Sequence, residues 1–210
     1  MNSFERKGVE FLAIIKKMGR KKAMVTKDSL FEVLDHIRLK DGYHLGLKLA
    51  EENGMGNESF FYTYKDEDPF KKEITADIEA AVRKRDIFTN LIVEQTEMGA
   101  WQAYLLSLSP TVLPLWWHAN YSKRTYFFDR NHFKGITPLH REPLQLKIKD
   151  IPQPSVIRED EHFVVQCPYW NDWVGLVLVS MNVSFKKNGT VSFDNLKKEV
   201  LYEYDCGICF

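Results

Sequence analysis

The last forty residues constrain the fold of this chain more than any other feature. Residues 173–185 form a long apolar run, Asn188-Gly189 follows, and residues 190–208 alternate again between apolar and polar side chains. An Asn-Gly pair between two alternating runs is a strong hairpin signal. The sequence therefore predicts two long antiparallel strands in this region.

The side chains on either side of the turn select its length. A two-residue turn would leave Val191 and Phe193 on the polar face of the second strand. A three-residue loop over residues 187–189, with Gly189 in the left-handed conformation, places Phe185 opposite Val191 on the apolar face. We therefore predict the three-residue loop.

The first strand of this hairpin also predicts what covers the sheet. One of its faces is apolar throughout, and the other is apolar at Val174, Leu176 and Leu178 but polar further on. We therefore expect this second face to be buried along the first half of the strand only. We expect the N-terminal helical region to cover this second side.

The remainder of the second half also reads as strands. Residues 123–128, 144–148 and 162–167 are separated by turn-rich segments, and no helical pattern stands between them. Parallel strands need crossover helices, so the sequence favours antiparallel pairing and disfavours nucleotide-binding folds built on such crossovers.

The chain is therefore predicted to be an α+β protein. A mainly antiparallel sheet from about residues 120–210 packs against N-terminal helices. We expect a single domain over residues 1–210, which is helix-rich in residues 1–110 and strand-rich in residues 111–210. Division into these two parts as subdomains is the alternative.

Helical periodicity dominates the first half. Residues 3–18 form an amphipathic pattern that Ser3 can cap and that Gly19 can end in the left-handed conformation. A second helix starts at Asp28 or the next residue and reaches Ile37. Residues 75–107 continue the pattern, with a break expected near residues 86–89 or at Gly99.

A short hairpin is predicted between the second and third helical patterns. Its strands alternate over residues 45–49 and 60–64, with two glycines in the connection. The predicted register places Leu49 opposite Phe60 and Leu47 opposite Tyr62, so that both apolar sets share one face. A helix over residues 44–53 is the alternative, because the leucines also fit helical spacing.

Charge and composition exclude several classes of protein. The 210 residues contain 29 basic and 29 acidic side chains, so the basic excess of nucleic-acid-binding proteins is missing. No apolar run approaches the roughly 20 residues of a membrane span, and no secretory leader is expected. Three cysteines fit a reducing compartment. We predict a cytoplasmic protein.

The C-x-x-C motif of Cys206 and Cys209 has three interpretations. A zinc site would add Cys167 and His162 as further ligands. A redox pair would need a following helix to stabilise the thiolate, and the sequence ends at Phe210. The interpretation we favour is a terminal strand, in which residues three apart point to opposite faces. No cofactor is expected.

Polar side chains that could act as acids, bases or metal ligands cluster in one aromatic segment. Their spacing matches no known catalytic or metal-binding signature. The candidates are His118, Asp129, His132 and His140.

Two aromatic segments are candidate contact surfaces for a ligand or partner. In each, large aromatic residues flank polar turn residues, as in many recognition loops. Core packing is the competing interpretation. The candidates are Trp116, Trp117, Tyr121, Tyr169, Trp170, Asp172 and Trp173.

The leading hypothesis is a non-enzymatic protein that binds another protein or a small molecule through these aromatic loops. A hydrolase-like enzyme using the His/Asp set is the first alternative, and a zinc-binding protein using the C-terminal cysteines is the second. Nucleic acid and membrane are not expected as partners.

Overall fold

The computed structural model describes residues 1–19, 28–49, 59–71, 75–113, 124–131 and 147–204. It confirms the α+β class and the antiparallel pairing of the strands. In chain order the elements are α1 Ser3–Met18, α2 Asp28–Val33, β1 Ile37–Leu39, β2 Tyr43–Lys48, β3 Phe60–Lys65, α3 Ala76–Arg83, β4 Leu91–Val93, α4 Glu97–Ser107, α5 Ser109–Val112, β5 Thr125–Tyr126, β6 Ser155–Arg158, β7 His162–Asn171, β8 Gly175–Phe185 and β9 Val191–Glu203.

The main sheet has the strand order β5-β7-β8-β9, and β6 also pairs with β7. The hairpin of β8 and β9 has the predicted register, since Phe185 lies opposite Val191 and Val183 opposite Phe193. Gly189 adopts a φ of 78°, as the three-residue loop requires. The positions of apolar side chains on the two strands therefore predicted the loop length correctly, whereas the Asn-Gly pair alone suggests a two-residue turn.

The N-terminal helices cover one face of this sheet, but not the face that the sequence indicated. α1 and α4 share a core with Val177, Val179 and Val183 of β8. On the opposite face, Leu176 packs in a smaller cluster with Phe127 and Ile151. The second side is therefore covered by short segments next to β5 and β6, because the helices already occupy the fully apolar face.

The central helix α4 is buried on all sides. Its residues 99–106 are all buried, and such a helix belongs inside a core. Trp101 is inaccessible to solvent, and its indole Nε1 donates a hydrogen bond to the Phe4 carbonyl oxygen at 3.0 Å. α4 therefore joins α1 to the main sheet.

The ends of α1 differ from the sequence-based expectation. Asn2, not Ser3, is the N-cap: its side chain accepts from the Glu5 amide, and the Glu5 carboxylate accepts from the Asn2 amide. This reciprocal pair satisfies two amides, whereas a capping serine satisfies one. Gly19 has a φ of −69° and is right-handed rather than left-handed.

The second and third helical patterns are both interrupted by strands. α2 ends at Val33, and Ile37 begins β1 instead of extending the helix. The predicted break at residues 86–89 is present as a 3-10 turn, Ile87–Asn90, but it leads into β4. β1 and β4 pair with each other, so tertiary pairing overrides local helical periodicity here.

The short hairpin of β2 and β3 is present, but its register is shifted by one residue. Leu47 lies opposite Phe61 and Gly46 lies opposite Tyr62. Leu45, Leu47 and Phe61 face the main core. Tyr62 therefore belongs to the other face, where a separate aromatic cluster covers it. The helical alternative for this segment is wrong.

Several strand boundaries also differ from the predictions. The predicted strand at residues 123–128 is only Thr125–Tyr126, and Ile148–Asp150 is a 3-10 turn. β6 had no clear signal in the sequence. β9 ends at Glu203, and residues 205–210 lie outside the described ranges. None of the helices in those ranges has both the length and the apolar character of a membrane span.

Candidate functional site

The candidate site forms where β5 joins the end of β7. Tyr126 pairs with Tyr169 across the two strands, and Cys167 lies two positions earlier on the same face of β7. Tyr104 of α4 lies close above this face, near the Cys167 thiol. The fold thus brings three tyrosines and a cysteine together from three elements.

Arg124 provides the positive charge of the site. Its guanidinium carbon lies 5.1 Å from the centre of the Tyr169 ring, and the side chain is half-buried. A cation held over an aromatic face is attracted by the ring, and more strongly where water is partly excluded. Within the described ranges, no carboxylate forms a salt bridge with this guanidinium.

The Tyr126 hydroxyl is an unusual group because it is buried without a hydrogen-bond partner. Tyr126 is 3% exposed, and its hydroxyl is the one unpaired buried side-chain oxygen or nitrogen among the described residues. Arg124 and Thr111 are close enough to lower its pKa, but neither forms a hydrogen bond of acceptable distance and angle with it. Thr111 donates its own hydrogen to the Leu108 carbonyl oxygen at 2.8 Å. A buried hydroxyl left in this state is costly, and such a group requires an explanation.

Burial sets the protonation of the site. It raises the pKa of the Cys167 thiol well above its ordinary value, and it raises the pKa of Tyr104 in the same way. Burial also raises the pKa values of Tyr126 and Tyr169, although Arg124 opposes the increase in both. All four groups are therefore neutral at pH 7, and the guanidinium is the charged member of this set.

We expect Cys167 to be chemically inert in the folded protein, because alkylation requires a thiolate and access to solvent. In a chain carrying Cys206→Ser and Cys209→Ser, iodoacetamide at pH 8 should modify less than about 5% of Cys167 in an hour. The same treatment in guanidinium chloride should modify it fully, as measured by intact mass. Rapid modification of the native protein would show that Cys167 is an accessible thiolate.

The Tyr169–Trp173 candidates separate into core and turn residues. Tyr169 belongs to the site above, whereas Trp170 is buried on the opposite face of β7. The Trp170 Nε1 donates to Asp172 Oδ1 at 2.7 Å, and the Trp173 amide donates to Asn171 Oδ1 at 2.9 Å. Hydrogen bonds within the turn therefore engage Asp172 and the Trp173 backbone.

His162 and Cys167 lie on opposite faces of β7. Their positions differ by an odd number of residues along one strand, so their side chains point away from each other. His162 Nε2 lies 3.0 Å from Glu159 Oε2, and Cys167 faces the core. These two side chains cannot ligate the same ion.

Asp129 closes a tight turn. Its Oδ1 accepts hydrogen bonds from the Asn131 amide at 2.9 Å and from Asn131 Nδ2 at 3.0 Å. The remaining candidates lie outside the described residues. These are Trp116, Trp117, His118, Tyr121, His132, His140, Cys206 and Cys209.

A second polar cluster joins α4 to the segment between α2 and β1. The buried amide of Gln102 accepts from the His36 backbone amide at 2.8 Å and donates to Asp35 Oδ1 at 2.6 Å. His36 Nδ1 lies 2.6 Å from Glu94 Oε2. Burial opposes ionisation of Asp35, but Gln102 and Lys7 together lower its pKa. Because its polar groups are mutually satisfied, this cluster stabilises the fold.

Sequence reasoning did not select Tyr104, Thr111, Arg124 or Tyr126 as site residues. The sequence predicts a strand that ends at Cys167 and assigns Tyr169 to the loop that follows. β7 instead continues to Asn171, and this places Cys167 and Tyr169 on one face. No pattern in the sequence indicated that α4 and β5 would meet that face.

No protein-family model, curated protein or solved structure matches this chain.

Proposed function

We propose that this protein binds a small ligand through an oxyanion, such as a carboxylate or a phosphate, held by Arg124 and the Tyr126 hydroxyl. The observation that carries the proposal is the unpaired, buried hydroxyl beside a guanidinium that pairs with no described carboxylate. An oxyanion would accept a hydrogen bond from both groups. It would thereby satisfy the hydroxyl and neutralise the positive charge.

The chemistry of the side chains supports an anion over other ligands. Arginine presents its donors in a planar fork that matches two oxygens of a carboxylate or phosphate. Tyr126 is neutral because burial raises its pKa, so its hydroxyl keeps a hydrogen to donate. The Tyr169 ring lies under the guanidinium and orients it. Arg124 and Thr111 are half-buried, which leaves them as the solvent-facing part of the site.

Binding is favoured over catalysis by the state of the nucleophile candidate. Cys167 is the thiol of this site, and burial keeps it protonated. The balanced overall charge and the cysteine content support a cytoplasmic location and a small-molecule partner rather than nucleic acid. This proposal retains the binding role that the sequence predicts. Tyr169 belongs both to the predicted contact residues and to the candidate site.

The test measures thermal stabilisation by simple oxyanions. Phosphate, acetate and benzoate are titrated at constant ionic strength against chloride. One charge-assisted pair and one hydroxyl bond contribute about 4 kcal/mol, which corresponds to a dissociation constant of about 1 mM. At about 10 mM the ligand should then raise the melting temperature by about 3–5 °C. The anion that stabilises most identifies the ligand class.

Two variants locate the effect. Arg124→Met should abolish the stabilisation, and Tyr126→Phe should reduce it while removing the unpaired hydroxyl. Arg158→Met is the matched control, because the Arg158 guanidinium also lies over an aromatic ring, that of Phe163 at 5.9 Å, but Arg158 is exposed to solvent. The proposal fails if no anion stabilises the parent protein, or if Arg124→Met responds as the parent does.

A further inference from the structure

The strand β9 is exposed over most of its length. Residues 194–201 are exposed on both faces, and β8 is the one strand in the described ranges that pairs with β9. Two of its apolar side chains are largely open to solvent, Leu196 at 52% and Val200 at 44%. A long open edge of this kind presents unpaired backbone groups that can add another strand.

The register with β8 assigns the side chains of β9 to faces. Lys197 lies opposite Ser180 and Glu199 opposite Leu178, which places both charges on the face away from α1 and α4. Irregularities in the register bound this segment on both sides, and Asn195 has a φ of 49° next to one of them. Residues 197–200 form the regular part of the edge between them.

Symmetry restricts how two copies of this edge can pair. An antiparallel pair of identical strands is related by a twofold axis perpendicular to the sheet. This rotation keeps the helix-covered faces of both copies on the same side of the joined sheet. Every residue must therefore pair with a residue of the same face. Only registers centred on a residue satisfy this condition, so within the regular part the axis passes through Lys197, Lys198, Glu199 or Val200.

One of these four registers forms opposite-charge pairs that lie wholly within the regular part. Centred on Lys198, it pairs Lys197 with the second copy's Glu199, twice by symmetry, and opposes these two pairs with one Lys198–Lys198 pair on the axis. The registers centred on Lys197 and on Glu199 pair that charge with itself and form no opposite-charge pair. The register centred on Val200 pairs Lys197 with Glu203 only across the irregularity near residue 201. Opposite charges placed directly across two strands are stabilising, and like charges are destabilising.

We propose that β9 pairs with β9 of a second copy in the register centred on Lys198. The two main sheets then continue into one another across a twofold axis. The Lys198 side chains meet at this axis on the side of the helices, and their repulsion limits the affinity. Since the contact is a single strand pair, it belongs to the small, reversible class of interfaces.

The test is a charge exchange across the axis. Sedimentation equilibrium of the full chain should show a monomer–dimer equilibrium in the micromolar range. Lys197→Glu alone and Glu199→Lys alone each create two like-charge pairs and should weaken dimerisation by about tenfold or more. The double variant re-forms both opposite-charge pairs and should dimerise within about threefold of the parent.

Lys187→Glu is the control for net charge, because it makes the same change in the exposed hairpin loop away from the edge. It should leave dimerisation unchanged. A parent protein that stays monomeric at about 500 μM would overturn the proposal, and would show that Lys197 and Lys198 guard the edge against pairing. Failure of the double variant to recover would overturn the register. Circular dichroism melts confirm that each variant is folded.

Discussion

Replacing Trp101 with alanine should lower the free energy of unfolding by about 4 kcal/mol. The side chain is completely buried at the point where α1, α4 and the main sheet meet. Its ring centre lies 5.7 Å from that of Tyr104, 5.8 Å from that of Phe128 and 5.9 Å from that of Phe4. Alanine would leave a cavity that these large rings cannot fill by small movements.

The substitution also removes a hydrogen bond. The Trp101 indole donates to the Phe4 carbonyl oxygen, so the alanine variant leaves a carbonyl at the start of α1 without this donor. Urea unfolding followed by circular dichroism measures the loss. Trp173→Ala is the matched control, because Trp173 is half-buried in a turn and belongs to neither large cluster. A loss below about 1.5 kcal/mol for Trp101→Ala would contradict this description of the core.

Replacing Gly99 with alanine should also destabilise the protein, by about 3 kcal/mol. Gly99 lies in the first turn of α4, where its amide donates to Thr96 Oγ1 at 3.0 Å. A Cβ at this position would overlap the backbone carbonyl oxygen of Glu94. A backbone atom cannot rotate away as a side chain does, so the entry into α4 would have to move.

The sign of this effect separates two explanations. Helix propensity alone predicts that alanine in place of glycine stabilises a helix by about 0.5–1 kcal/mol. The close approach of Glu94 predicts the opposite sign. Urea unfolding decides between them. Glu97→Ala, an exposed change in the same turn, is the control and should shift stability by at most about 1 kcal/mol. A gain in stability for Gly99→Ala would contradict this expectation, because it would mean that the Glu94 backbone moves away from the new Cβ at little energetic cost.

The contrast between the two hairpins shows where sequence reasoning succeeds. In the hairpin of β8 and β9, one face is apolar and the other largely polar, so only one register buries Val191 and Phe185 together. In the hairpin of β2 and β3, both faces are covered. Leu47 packs in the main core and Tyr62 packs in the outer aromatic cluster. Alternation cannot select a register when both faces are buried.

Tyr62 also explains the glycine in β2. Its ring lies directly over Gly46, where a Cβ would overlap the ring. A glycine facing an aromatic residue across a strand pair lets the ring cover the backbone. This arrangement depends on the true register, so the predicted register could not reveal it.

The candidate site was partly foreseeable. Tyr169 was among the predicted contact residues and belongs to the site. Its position on the same face as Cys167 follows from the continuation of β7 beyond the predicted strand. Arg124 and Tyr104 come from elements whose contact with β7 depends on packing over long sequence distances. The unpaired state of the Tyr126 hydroxyl is a property of the assembled core.

The sequence by itself determined the α+β class, the antiparallel pairing of the second half and the loop between β8 and β9. These features follow from local periodicity and from turn residues, which act over a few neighbouring positions. Tertiary structure alone decided that residues 91–93 pair with β1 instead of continuing a helix, which face α1 and α4 cover, and which side chains surround Arg124. The physical reason is that these outcomes depend on competition between distant segments for the same apolar surface, and no single window of sequence contains both competitors.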